Sequence, residues 1–158
     1  REDDRDSNRC IRRRSRKRIS NRESGSEVLD QQYAIWSRDG VCTEMQEILS
    51  RIPKMNAVRT ENDDIAIGVI QAVRQASRKD ELFVVGGGGM KDIVKRVMDG
   101  DELTPVDVLY PPSMISTAME LTALKLISST PIEGEYILGS PLITQDNAED
   151  YYFPDSPF

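Results

Sequence analysis

The sequence predicts an α/β protein, a parallel-sheet three-layer sandwich with helices on both faces of the sheet. Three observations predict it. Strand-like and helix-like segments alternate four times along residues 27–144, with short connections. One strand-like run, ELFVVG at residues 81–86, is continuously apolar, as strands buried on both faces of a parallel sheet are. Finally, 158 residues, 38% of them hydrophobic and 30% charged, suit one domain able to bury a core.

Taken in order, EVLDQQYA (27–34) is a short strand candidate. SRDGVCTEMQEILSRI (37–52) carries Val41, Met45, Ile48, Leu49 and Ile52 at helical spacing. MNAVRT (55–60) is strand-like. NDDIAIGVIQAVRQAS (62–77) opens with Asn62 or Asp63 as an N-cap, then places Ile65, Ile67, Val69, Ile70 and Val73 as a helix would. After ELFVVG comes MKDIVKRVMDG (90–100), an amphipathic helix closed by Gly100. PVDVLY (105–110) is a strand, and PPSMISTAMELTALKLISS (111–129) a helix with proline in its first turn. ILGSPLIT (137–144) is the last strand, followed by a turn and tail.

The first 26 residues read differently. They hold ten Lys and Arg against five Asp and Glu, whereas the net charge of the whole chain is −6. Their large aliphatics are Ile11 and Ile19, and they lack aromatics, so they cannot offset the entropy of ordering. This segment is expected to be disordered or a loose helix, or an aberrant stretch such as one translated out of frame. A nucleic-acid partner is not expected, because acids are interspersed, aromatics are missing and the remainder is strongly acidic.

Histidine is absent, which removes the commonest general base and metal ligand. Cys10 and Cys42 are read as incidental thiols rather than a disulfide. No run approaches the roughly 18 apolar residues of a membrane span, so membrane insertion is not expected. Nor is an apolar signal-peptide core visible at the start of these residues.

In an open α/β sheet, ligands approach the carboxyl ends of the strands. That points to the loops at 33–38, 60–64, 86–91 and 109–113. The run GGGGMK invites a phosphate reading, which fails. A Walker loop ends in Gly-Lys-Ser/Thr, but Met90 separates Gly89 from Lys91, and Asp92 replaces the hydroxyl. A dinucleotide loop needs a third glycine where Lys91 stands. What remains is a glycine turn over which backbone can approach a ligand, or a tight strand-to-helix connection. ENDD (61–64) is weak as a metal site without histidine or a second acid cluster, and no metal or cofactor is expected. Helix capping explains part of it. An Asn followed by two Asp also suits sugar hydroxyls, which need both acceptors and donors. Trp36 and Tyr110 offer flat apolar faces for a sugar, or core positions.

AVRTENDDIAIGVIQAV, FVVGGGGMKDIVKRVMDG, VLYPPSMISTAMELTALKLI and GSPLITQDNAEDYYFPDSPF, in this order, resemble the bacterial periplasmic sugar-binding proteins of the ribose-binding type. These are substrate-binding components of ABC importers with a type I periplasmic binding fold: two α/β lobes with sugar between them. The resemblance runs from about Val28 to Phe158 and covers most of the C-terminal lobe alone. It implies a non-enzymatic, carbohydrate-binding protein whose partners are a monosaccharide and the importer's permease, and a periplasmic location. Trp36 matches a stacking aromatic, Asn62 a sugar-hydroxyl ligand with Asp63 and Asp64 alongside, and Tyr110 a polar cleft residue. Gly87, Gly88 and Met90 fall in the loop where the family often has an aromatic and an aspartate, so pentose specificity is not implied. A cleft arginine expected upstream has no assignable match. The same fold serves as the effector domain of lactose-repressor-like regulators, the alternative reading. A catalytic reading ranks third, since no nucleophile–base pair is visible.

Overall fold

The computed structural model describes residues 27–32, 37–129 and 133–158. The expected disorder of residues 1–26 and the place of Trp36 lie outside these. The chain divides into two compact units, residues 1–33 and 34–158.

In the first unit, the described residues 27–32 form no strand, contrary to expectation. Local bonds take the place of a ladder there. The Asp30 carboxylate accepts from the Gln31 backbone N–H at 2.7 Å and from the Gln32 side chain at 3.1 Å.

In the second unit, α1 (Arg38–Arg51) begins where Ser37 accepts from the Gly40 N–H. It stops at Ile52, because Pro53 disfavours helical backbone in the residue before it. Arg78 then satisfies the frayed end, donating to the carbonyl oxygens of Leu49, Ile52 and Pro53. Strand β1 (Ala57–Arg59) leads to α2 (Asp63–Gln75), capped by Asn62. Strand β2 (Phe83–Val85) leads to α3 (Lys91–Met98), which ends on Gly100 with φ +73°. β3 (Asp107–Val108), α4 (Met114–Ile127), β4 (Leu142–Ile143) and a 3₁₀ turn (Ala148–Tyr151) follow. Pro111 and Pro112 lie just ahead of α4, in the turn entering it.

β1 and β2 pair in parallel, Val58 opposite Val84. Residues 103–108 run beside β2 in the same sense, through Val84 N–H to Leu103 O at 2.7 Å and Gly88 N–H to Val108 O at 2.8 Å. β1 and β2 thus form one parallel two-stranded sheet, and β3 runs beside β2 in the same sense but belongs to a second two-stranded sheet. β4 departs from that pattern and pairs antiparallel with β3, Asp107 opposite Ile143. The apolar run of β2 is also buried on one face only: Val84 is fully buried while Phe83 is 40% exposed.

The core gathers Val41, Met45 and Leu49 of α1, Ala66, Val69, Ile70 and Val73 of α2, and Leu82, Val84, Ile93 and Leu103. Each large aliphatic side chain buried this way contributes about 1.5–3 kcal/mol. α3 straddles two clusters, since Val94 and Val97 pack with Ile143 and Ala148 in a second one. Its position fixes the loop that precedes it. α4 differs from the other helices. None of its residues is buried, and Ile115, Met119, Leu126 and Ile127 are all exposed.

Candidate functional site: the carboxyl ends of three strands

The loops after β1, β2 and β3 meet, because the three strands run in the same sense and deliver their carboxyl ends to the same side. Asp63 is the point of convergence. Its side chain is 1% exposed, and it accepts from the Gly87 N–H at 2.8 Å and the Met90 N–H at 2.7 Å. Asp107, fully buried on β3, accepts from the Gly89 N–H at 3.1 Å. Gly88 donates to Val108. Four successive backbone donors, from Gly87 to Met90, are thus consumed inside the protein.

That geometry answers the question raised by the glycine run. A phosphate cradle works by aiming unspent N–H groups at an anion. This loop has spent them, and two carboxyl groups stand behind it.

The glycines are required by space and by backbone. A Cβ on Gly87 would lie 2.5 Å from Cε1 of Tyr110, and one on Gly89 2.5 Å from a methyl of Leu109. Gly88 and Gly89 have φ of +139° and +84°, where side chains are disfavoured. Gly87 and Gly88 are buried, beneath the Tyr110 ring and the Phe158 ring respectively.

Tyr110 remains 38% exposed and donates its hydroxyl proton to the Glu61 carbonyl oxygen, tying the β3 end to the β1 loop. Burial raises its pKa, and the nearby Asp63, Asp107 and Glu61 carboxylates add to the rise. Asn62 Oδ1 is engaged by the Ile65 N–H at 2.9 Å, so its amide NH₂ is the group available to a ligand. Asp64 is exposed and paired with Arg38 at 2.6 Å, joining the starts of α1 and α2. Met90 contributes its backbone N–H to Asp63 and sits at the N-cap of α3.

Of the residues singled out from the sequence, Asn62, Asp63, Gly87, Gly88, Met90 and Tyr110 come together, with Asp64 at the rim. Asp107 was missed. A lone aspartate between Val106 and Val108 in an apolar strand was the signal, since a buried carboxyl there demands partners. Among the described residues, no cluster of three or more acidic or thiol side chains is arranged for a metal ion. No helix of the described residues is long and apolar enough to cross a membrane. A shallow cavity of about 390 Å³ lies along α4 instead, lined by Ile115, Met119 and Leu126 among others, without the polar groups a sugar needs.

Comparison with known proteins bears on the fold and the family. The chain is 28% identical over 128 residues to the xylitol-binding protein of Mycolicibacterium smegmatis, covering 77% of this chain and 34% of that one. It is 30% identical over 118 residues to the ribose import binding protein of Escherichia coli, covering 75% of this chain and 39% of that one. It therefore spans well under half the length of these relatives. Among solved structures, an ABC transporter solute-binding protein from Mycobacterium smegmatis with bound glycerol superposes with a TM-score of 0.71 at 25% identity, over 84% of this chain and 46% of that one. One from Bacillus halodurans with bound myo-inositol shares the fold, with a TM-score of 0.71 at 23% identity over 86% of this chain and 46% of that one. The model of the periplasmic binding protein domain matches residues 7–127, which include most of the basic segment. With that match over most of its length, the chain belongs to the periplasmic binding protein domain family.

Proposed function

We propose that this chain is a carbohydrate-binding lobe, the substrate-binding part of an ABC sugar importer acting in the periplasm, with the importer's permease as its protein partner. The observation that carries the reading is the edge at β1–β3. It offers an amide, a carboxylate rim and an aromatic ring, and the four backbone N–H groups of the glycine loop are already bonded within the protein. Such a surface suits a neutral polyhydroxylated ligand, whose hydroxyls pair with Asn62 and Asp64 while its C–H face rests on Tyr110. Gly87 supports the ring from beneath, Gly88 lies in the same loop under Phe158, and Asp63 and Met90 hold the loop in place. Trp36 joins this set on the strength of the sequence resemblance. Residues 27–158 form the binding domain in this reading, although the family match itself begins at residue 7.

The names of the relatives support a sugar or polyol as ligand. The exposed apolar residues of α4 support a lobe that works against a further body of protein. The test is a binding panel followed by NMR. Neutral monosaccharides and polyols should shift the Asn62 and Tyr110 resonances, whereas the corresponding sugar phosphates should bind no better. Tighter binding of the phosphates would overturn the reading.

A further inference from the structure

We propose that Asp107 is a positioning residue for the ligand-facing glycine loop: its carboxyl holds a proton, donates it through Oδ1 to Asp63, and with that partner fixes the Gly87, Gly89 and Met90 N–H groups. The claim that the loop faces a ligand rests on the function proposed above. The proton does not.

Three observations carry the inference. Asp63 and Asp107 are 1% and 0% exposed, and their Oδ1 atoms converge on one spot, 2.4 and 3.3 Å respectively from where a Cβ on Gly86 would lie. Two buried carboxylates so placed cannot both be ionised without strong repulsion in a weakly polarisable interior. Second, Asp107 Oδ2 accepts from the Gly89 N–H, while Oδ1 is buried with no protein donor to satisfy it. An orphaned carboxylate oxygen here would be costly, whereas a protonated one becomes a donor and needs none. Third, the division of labour is unequal. The loop N–H groups of Gly87, Met90 and Gly89 all favour the Asp63 carboxylate, whereas Asp107 is engaged by Gly89 and its neighbour Val108, so Asp63 is the better home for the negative charge and Asp107 for the proton.

The surroundings reinforce that assignment. Burial first, and then the Asp63 charge, push Asp107 up to about 7. The other ionisable groups near the pair are Tyr110 at the end of β3, with Glu61 and Arg59 beyond it. Lys91 of α3 donates to the Ser156 carbonyl oxygen. The loop supplies backbone N–H groups, and β4 places apolar Ile143 opposite Asp107.

Because the folded value lies above the ordinary 3.8, the proton stabilises the fold fully below the ordinary carboxyl range. That contribution declines as pH rises from about 4 and is gone above about 7.

Carboxyl-carbon NMR on the unliganded 158-residue chain tests the assignment. Asp107 should titrate near neutrality, with a matching displacement at Asp63; complete titration of both groups below pH 5 would overturn it. The Gly87, Gly89 and Met90 amides should lose hydrogen-exchange protection over the same range. Unchanged protection across it would overturn the positioning role. Asp107→Asn keeps a donor without a titrating proton. Its melting temperature should gain on the wild type between pH 4 and 7 and run parallel above, and a constant difference throughout would sink the proposal. None of these readouts needs a sugar, so they can fail while the binding reading stands.

Discussion

The ring of Tyr110 lies against the Cα of Gly87, and its hydroxyl donates to the Glu61 carbonyl oxygen. One side chain therefore covers the glycine loop and ties it to the start of α2. Gly87→Ala would drive a methyl to 2.5 Å from the ring. The expected cost is about 1–3 kcal/mol, that of overpacking a tight contact. Tyr110→Phe should cost about 1 kcal/mol by loss of one hydrogen bond. Denaturant unfolding measures both. If Gly87→Ala is neutral, the ring does not rest where the structure puts it.

Asn62 has two roles that substitutions can separate. Asn62→Ala removes the N-cap of α2 and should cost about 1 kcal/mol of stability. Asn62→Ser keeps an oxygen to cap the helix but loses the amide donor, so it should be near neutral for folding while weakening sugar binding. Equal losses of stability in the two variants would count against the separation.

Sugar affinity of the isolated chain should be millimolar at best. A cleft closed from both sides buries most of its ligand, and a single surface leaves half the contacts solvated. Forfeiting about 4 kcal/mol weakens binding roughly a thousandfold. On the proposed role of Trp36, the only tryptophan, its fluorescence should follow the titration. Micromolar saturation would show that this chain encloses its ligand unaided.

Asp101 should contribute the opposite pH dependence to Asp107. Burial pushes its carboxyl up, but the Leu103 N–H and the Arg96 and Arg74 guanidinium groups outweigh this and hold it below its ordinary value. Its contribution is present above the ordinary carboxyl range and is lost as pH falls through the lowered folded value. Arg96→Gln should therefore destabilise more at pH 6 than at pH 3. Thermal melts at the two values check it, and a deficit that grows toward acid would refute the assignment.

Arg78 should matter more than an exposed arginine usually does. Its guanidinium serves three carbonyl groups at the end of α1. Arg78→Ala is expected to cost about 2–3 kcal/mol, since hydrogen bonds to charged donors are lost and part-buried acceptors are stranded. Urea unfolding gives the number, and a change under 0.5 kcal/mol, typical of surface substitutions, would refute the role.

Much of the fold was legible because periodicity and caps are local. Asn62, Ser37 and Gly100 sit at helix boundaries by short-range backbone chemistry, and the alternation of strand and helix survives as parallel β1–β3. Strand direction is not local, so the antiparallel β4 could not be read from ILGSPLIT. Nor does a run such as ELFVVG say how many of its faces are covered, and Phe83 is half open. The phosphate reading of the glycine loop failed on spacing alone. The stronger reason, that its N–H groups are already bonded, depends on Asp63 and Asp107, which are 44 positions apart. Tyr110 over Gly87 is a contact of the same non-local kind.

The spent glycine loop also limits how this surface can diversify. Gly88 and Gly89 are confined to glycine by backbone, and Gly86, Gly87 and Gly89 by side chains already in contact. A lineage changing its ligand could not put a new side chain into the loop without first vacating Asp63, Leu109 or Tyr110. Evolvable variation is left to Asn62, Asp64 and Tyr110, on the flanking elements. An engineer seeking a new specificity should therefore randomise those three positions and leave the four glycines untouched.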